Sequence, residues 1–251
     1  MRVRTLALIG ALALALPVGA AEEAHVPHRN WSFEGVFGTY DLGAAQRGFQ
    51  VYSEVCATCH SMKLVAYRHL SGIRFTEDQI KQLAAAVQIA DGPNDQGEMF
   101  ERPGRPADKF RSPFPNDNAA RFANNGALPP DFSTIVKGRD GGANYIFGVL
   151  AGYKDPPAGV TLQPGMSYNE VFPGHQIAMP PPLSESQVTY ADGTPASVEQ
   201  MSADVATFLA WASEPEMDGR KRMGVKVILF MLLFTGILYA VKRKVWADVA
   251  H

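Results

Sequence analysis

Apolar positions recur at helical spacing in several stretches of the chain, separated by long segments with no period. Val51, Tyr52 and Val55 fall at i, i+1 and i+4, which puts one apolar stripe on a helix predicted over 44–55. Thr76 and Gln79 form a capping box with Glu77 and Asp78 in the first turn, and Ile80, Leu83, Ala84 and Val87 then share a face. Asn116 caps a short helix to Ala123. Arg139-Asp140-Gly141-Gly142 breaks the chain before a helix near 143–153. Ser197 and Gln200 open another amphipathic helix ending near Ser213, with Val198, Met201, Val205, Phe208, Leu209 and Ala212 as its core face.

Between these stretches, 22–43 reads as a polar and aromatic extended arm. Residues 91–115, punctuated by Pro93, Pro103, Pro106, Pro113 and Pro115, read as loop. Asn124-Asn125-Gly126 is a turn, and Pro129-Pro130 stiffens the approach to Asp131, read as a helix N-cap. Residues 154–196 are mostly irregular, and so long a run is usually functional or packed against something large. The pattern predicts a mainly α domain with long irregular insertions.

Two apolar runs stand apart from the domain. Residues 1–20 carry Arg2 and Arg4, an apolar run from Leu6 to Leu16, a proline and then Val18-Gly19-Ala20, the build of a secretory signal peptide cleaved near Ala20 or Ala21. That run is too short to span a bilayer. Residues 223–241 are apolar except for Lys226, about the length that does span one. Arg220, Lys221 and Arg222 flank one end, and Lys242, Arg243 and Lys244 the other. The division is then a signal peptide at 1–20, a periplasmic domain at 21–219, a transmembrane anchor at 220–244 and a cytoplasmic tail at 245–251. The second basic cluster lies inside, as the positive-inside tendency favours. The formal charge of −2 hides an asymmetry, because 21–219 holds 14 basic and 24 acidic residues. An acidic domain draws basic partners and repels nucleic acid.

The chemistry concentrates at Cys56-Ala57-Thr58-Cys59-His60. C-x-x-C-H is the attachment sequence of a c-type haem: two thiols add to the porphyrin vinyl groups, and the adjacent imidazole becomes the proximal iron ligand. A zinc site needs two further ligands of matching spacing, and the chain has no other cysteine. A thioredoxin-like redox pair calls for a βαβ setting, whereas an amphipathic helix leads into Cys56. One covalently bound haem c is the cofactor expected. His25, His28, His69 and His175 read as ordinary surface or core histidines. A thioether opposite His60 suits an electron carrier. Position leaves Met166 and Met179, and the prolines after Met179 favour it by holding its loop rigid.

Longer strings carry a family resemblance. Asp91-Gly92-Pro93-Asn94, Gly97-Glu98-Met99-Phe100, Arg102-Pro103-Gly104, Ala123-Asn124-Asn125-Gly126-Ala127-Leu128-Pro129-Pro130-Asp131, Phe172-Pro173-Gly174, Met179 before prolines, Asp192-Gly193-Thr194-Pro195-Ala196, Glu214-Pro215-Glu216 and Arg220-Lys221-Arg222-Met223-Gly224 resemble the cytochrome c1 family from about residue 30 through the membrane helix. The resemblance implies a class I cytochrome c-like haem domain with one C-terminal transmembrane helix. It implies the haem-bearing subunit of a bacterial ubiquinol–cytochrome c oxidoreductase, with the quinone chemistry done by other subunits. The expected partners are cytochrome b, the Rieske iron–sulfur subunit, a soluble or membrane-anchored cytochrome c and membrane lipid, in a dimer of the whole complex. The family's axial methionine falls on Met179, and its haem-propionate contacts on Arg139 and Tyr145. The expected location is the bacterial inner membrane, with the haem domain in the periplasm. A free-standing membrane-anchored shuttle cytochrome and a haem peroxidase or sensor are the rival readings. The acids Asp91, Asp95, Glu98 and Glu101 form a candidate docking cluster for a basic cytochrome c.

Overall fold

In the computed structural model, residues 25–249 are described, so the signal peptide read at 1–20 and the last two residues lie outside the described residues. The architecture rests on two crossed helices. Helix α1 (Leu42–Glu54) starts where the Asp41 carboxylate accepts the Ala44 N–H at 3.0 Å. It packs across α5 (Val198–Ser213), which the Ser197 hydroxyl caps through the Gln200 N–H. Gly48 makes the crossing possible: a Cβ there would lie 2.0 Å from the Asp204 carbonyl oxygen and 2.7 Å from Phe208 Cβ. Beside the crossing, Arg47 reaches the buried Asp204 carboxylate with Nε at 2.9 Å and Nη2 at 3.0 Å.

Helix α5 is more enclosed than one amphipathic face predicts. Every residue from Met201 to Ala212 is buried, Ser202, Asp204 and Thr207 included. Phe208 and Trp211 join Phe49, Tyr52, Leu70, Ile73 and Phe110 in the main core. α4 (Gly142–Ala151) covers α5 from another side. The capping box at Thr76 opens α2 (Glu77–Ala85), and Asn116 caps α3 (Asp117–Ala123), both as the sequence predicts.

Two readings need correction. The loop expected over 91–115 contains a strand: β1 (Gln88–Asp91) pairs antiparallel with β2 (Phe100–Pro103), Gln88 opposite Pro103 and Asp91 opposite Phe100. Arg102 fastens this hairpin by reaching Asp91 within it and Asp108 beyond it, the latter with both terminal nitrogens at 2.6 and 2.9 Å. The sequence pattern hid it because neither strand holds a buried residue and neither carries an apolar alternation. Asp131 caps no helix. Turns follow it, and its carboxylate serves a different segment. The long run 154–196 is irregular as read, apart from a two-residue ladder between β3 (Ser167–Tyr168) and β4 (Gln176–Ile177).

Helix α6 (Met217–Val245) is continuous for 29 residues, and its central apolar window is wholly unburied. It begins inside the domain, because Met217 is in the main core. Only Glu214, Pro215 and Glu216 separate it from α5.

Candidate haem site

Cys56 follows the last turn of α1 and opens a single 3-10 turn, Cys56–Thr58. The N–H groups of Cys59 and His60 both donate to the Cys56 carbonyl, at 3.1 and 2.9 Å. That fold brings the two thiols and the imidazole to one end of α1. Both cysteines are free, Cys56 buried and Cys59 half-buried. Burial pushes the Cys56 thiol up to about 12. A nucleophilic redox cysteine needs the opposite shift, so the environment argues against a thioredoxin-like pair. Among the described residues no three His, Cys, Asp or Glu side chains group as a metal site.

His60 is buried and held on several sides. Its Nδ1 lies 2.9 Å from the Pro130 carbonyl oxygen. A carbonyl can only accept, so Nδ1 carries the proton and the Nε2 lone pair is left for a metal. Burial lowers the pKa of the ring, and the Pro130 carbonyl and Asp131 only partly oppose it, so the neutral ligating form is favoured. The ring stacks on Phe132 at 4.0 Å and 18°. The Tyr52 hydroxyl donates to the His60 carbonyl at 3.3 Å.

The segment 130–133 is a clamp for the motif. The Asp131 carboxylate accepts from the Ser61 hydroxyl (2.7 Å), the Lys63 N–H (2.9 Å) and the Ser133 N–H (2.9 Å). Burial alone would raise its pKa, and these donors outweigh that and lower it. The Phe132 N–H donates to the Ser61 carbonyl at 2.8 Å, and the Leu64 N–H to the Ser133 hydroxyl at 2.9 Å. Pro130, Asp131 and Phe132 thus orient His60 from about 70 residues away in sequence. Sequence reasoning missed them because the only local signal, two prolines before an acid, resembles the approach to a helix.

The remaining predicted residues gather around α4. Met179 packs in an apolar cluster with Val149, Val171, Ile177, Tyr145 and Tyr153, and the Tyr153 hydroxyl donates to its carbonyl at 3.0 Å. Met166 belongs to no buried cluster among the described residues. Burial raises the Tyr145 pKa while the neighbouring Arg139 guanidinium pulls it down, so those two side chains are close. Arg139 is itself exposed, at the edge of the site. Ile146 and Leu150 on the same helix pack on the core that contains Cys56 and takes in Phe132 and Leu183. α4 therefore backs both the cluster of Met179 and the core of the cysteines, and residues 180–183 run from the first into the second. His69 accepts the Ala66 N–H at 3.1 Å and is a local cap. A cavity of about 780 Å³ beyond α4, lined by Gly148, Gly152, Val171 and His175 among others, takes in none of the six predicted site residues.

These residues fit a haem c: two free thiols at one helix end, a neutral imidazole pinned through Nδ1, a thioether in an apolar nest and a guanidinium at the edge. Fold and site together define a mainly helical c-type cytochrome domain joined directly to one membrane-length helix. The chain belongs to the cytochrome c1 family, whose profile matches residues 31–249. Cytochrome c1 of Rhodospirillum rubrum is 47% identical over 96% of this chain and 96% of its own length. A mitochondrial cytochrome c1 haem protein of Arabidopsis thaliana is 49% identical over 92% of this chain and 78% of its own length. A Bradyrhizobium diazoefficiens protein named cytochrome b/c1 is 47% identical over 97% of this chain, which spans 39% of that longer protein.

Proposed function

We infer that this chain is the haem-bearing subunit of a bacterial ubiquinol–cytochrome c oxidoreductase, passing electrons from a Rieske iron–sulfur protein to a cytochrome c. The observation that carries the reading is His60, fixed in its ligating tautomer by Pro130 immediately after a free thiol pair at a helix end. Cys56 and Cys59 hold the porphyrin through thioethers. His60 and Met179 would ligate the iron. Arg139 and Tyr145 receive the propionates, Arg139 as a permanently charged forked donor. The bound haem supplies a one-electron couple at its iron. The protein's part is to keep both ligands in place through either charge state, which the 130–133 clamp and the nest around Met179 favour. The quinone chemistry belongs to cytochrome b and the other subunits of a dimeric complex, and the net acidic charge of the domain suits a basic cytochrome c as acceptor.

Signal, domain and anchor follow the division 1–20, 21–219, 220–244 and 245–251, with the domain in the periplasm and the C-terminus in the cytoplasm. Two features speak against a free-standing shuttle on a flexible tether. The Tyr40 hydroxyl donates to the Ala210 and Glu214 carbonyls, and Glu214 pairs with both Lys137 and Arg220. These contacts splint the junction between α5 and α6. A peroxidase or sensor needs an open sixth position, and the packed, Tyr153-held Met179 disfavours one.

Purification from membranes tests the reading. Expected are haem that stays on the polypeptide through denaturing electrophoresis, co-purification of a cytochrome b and an iron–sulfur subunit, and quinol-dependent reduction of added cytochrome c. Haem lost on denaturation, or a lone cytochrome that quinol cannot reduce in the membrane, would sink it.

A further inference from the structure

The turn between Trp31 and Tyr40 is rigid at its feet and apolar at its tip. Phe33 and Tyr40 root it, their rings 5.3 Å apart, and Tyr40 is buried in the main core. The Thr39 N–H donates to the Ser32 carbonyl at 3.0 Å and closes the base. Gly38 allows this tight return, since a Cβ there would lie 1.9 Å from the Glu34 carbonyl oxygen. The tip then presents Val36 and Phe37, 62% and 84% exposed. So held, the turn carries both side chains at the surface.

The turn is strapped to α6. Lys221 Nζ donates to the carbonyls of Phe33 and Gly38 at 2.6 and 3.1 Å. A cleft of about 270 Å³ between turn and helix is lined by Val36, Phe37, Asp218, Arg222, Val225 and Lys226 among others. The apolar run of α6 starts at Met223, so Val225 and Lys226 lie about 3–5 Å inside it at 1.5 Å per residue. The exposed tip therefore reaches the level at which the helix enters the bilayer. The charges are arranged to match. Arg222 and Lys226 are one turn apart and form no ion pair among the described residues. Asp218 lies one turn further from the apolar run and accepts the Tyr40 N–H at 3.3 Å. Glu34 is the one acid of the turn.

We propose that the 34–39 turn is a second membrane contact: Val36 and Phe37 lie among the headgroups and upper acyl chains beside α6, while Arg222 and Lys226 pair with lipid phosphates. The occupant is lipid because the cleft continues directly onto the unburied apolar surface of α6, and the charges lining it are three cations, Lys221, Arg222 and Lys226, against one acid, Asp218. Together with α6 this gives two points of support, which fixes the tilt of the domain over the bilayer as one helix cannot. The inference rests on α6 being the membrane span.

Site-directed spin labelling tests it. In the holoprotein both native cysteines are consumed by haem, so one introduced thiol labels alone. Full-length, haem-loaded protein carrying Val36→Cys, Leu232→Cys or Gln96→Cys goes into nanodiscs of phosphatidylcholine with or without phosphatidylglycerol. The accessibility of the label to oxygen and to a water-soluble nickel chelate is then compared. Expected is a lipid-like label at 232, a water-like label at 96, and an oxygen-to-nickel ratio at 36 several-fold above that at 96. The ratio at 36 should rise with phosphatidylglycerol, and Arg222→Gln with Lys226→Gln should abolish that rise. A label at 36 as nickel-accessible as that at 96, with 232 in lipid, overturns the proposal and spares the span. A water-exposed 232 overturns both. Shielding of 36 from both reagents means protein covers the turn, and an unchanged lipid response in the double variant removes the phosphate pairing. Either result overturns the proposal.

Discussion

At the residue scale, His60 is oriented by the protein alone: Pro130 fixes its proton, Phe132 its ring plane and Tyr52 its backbone. Met179 is held less firmly, by apolar neighbours and one hydrogen bond to its carbonyl. The two proposed ligands should therefore respond differently to substitution. Met179→Leu keeps the apolar nest filled and both thioethers intact, so haem stays attached. Loss of the thioether should lower the reduction potential by about 0.1 V or more, within the ~0.8 V range that axial ligands span. It should also open the reduced iron to carbon monoxide. Met166→Leu should change neither. A redox titration and a carbon monoxide difference spectrum of both variants check this, and a shift confined to Met166→Leu would reverse the assignment.

At the element scale, the α1–α5 crossing depends on an atom that is missing. Gly48→Ala gains about 1 kcal/mol of helix propensity. Against that, its methyl meets the rigid Asp204 carbonyl of the facing helix at 2.0 Å. Overpacking wins, so the variant should lose about 2 kcal/mol or more and melt several degrees lower. An unchanged melting temperature would show that the helices part without cost.

The hairpin makes a second element-scale prediction, in pH. The Arg102 guanidinium holds Asp108 at about 2 and lowers Asp91 as well. Unfolded aspartates titrate near ~3.9. Both carboxyls are depressed in the folded state, so the stability they lend is fully present above ~pH 4 and is lost as pH falls toward 2. Amide exchange over Gln88–Pro103 should accelerate in that window, and Arg102→Gln should flatten the dependence. Exchange that is insensitive to pH there in the parent, after correction for intrinsic rates, would remove the ion pairs from the account.

At the scale of the whole molecule, a net acidic domain is mounted on a membrane-length helix through a three-residue junction splinted by Glu214. On the proposed function the donor is fixed while its acceptor diffuses, and a fast, salt-sensitive encounter would serve it well. The hairpin corrects which acids can steer. Asp91 is already paired with Arg102, whereas Asp95, Glu98 and Glu101 are exposed and lack an ion-pair partner among the described residues. Neutralising those three together should slow reduction of a basic cytochrome c several-fold at low salt. The difference should vanish as screening shortens to roughly 8–10 Å near physiological salt. Stopped-flow rates that are flat in salt, or equal for parent and variant, would dismiss the cluster as a docking site.

Local chemistry was legible without a structure wherever the signal lies within one or two turns of chain. The caps at Thr76, Asn116 and Ser197 and the uniform apolar run of α6 are of that kind, because orphan N–H groups and helix length impose a short fixed spacing, and the proposed haem motif rests on spacing in the same way. Other features needed the third dimension. The burial of α5 on every side depends on α1 and α4 arriving from elsewhere in the chain. The β1–β2 hairpin follows from ion pairs and backbone pairing that leave no apolar period. Asp131 misleads in isolation, because besides the nearby Ser133 N–H it serves Ser61 and Lys63, brought beside it only when the chain closes. The turn at Val36 and Phe37 draws attention only because it lies against the N-terminal end of α6. A sequence displays spacing along the chain. Which face meets which, and what a lone carboxylate or an exposed phenylalanine is for, is decided by contacts between residues far apart in it.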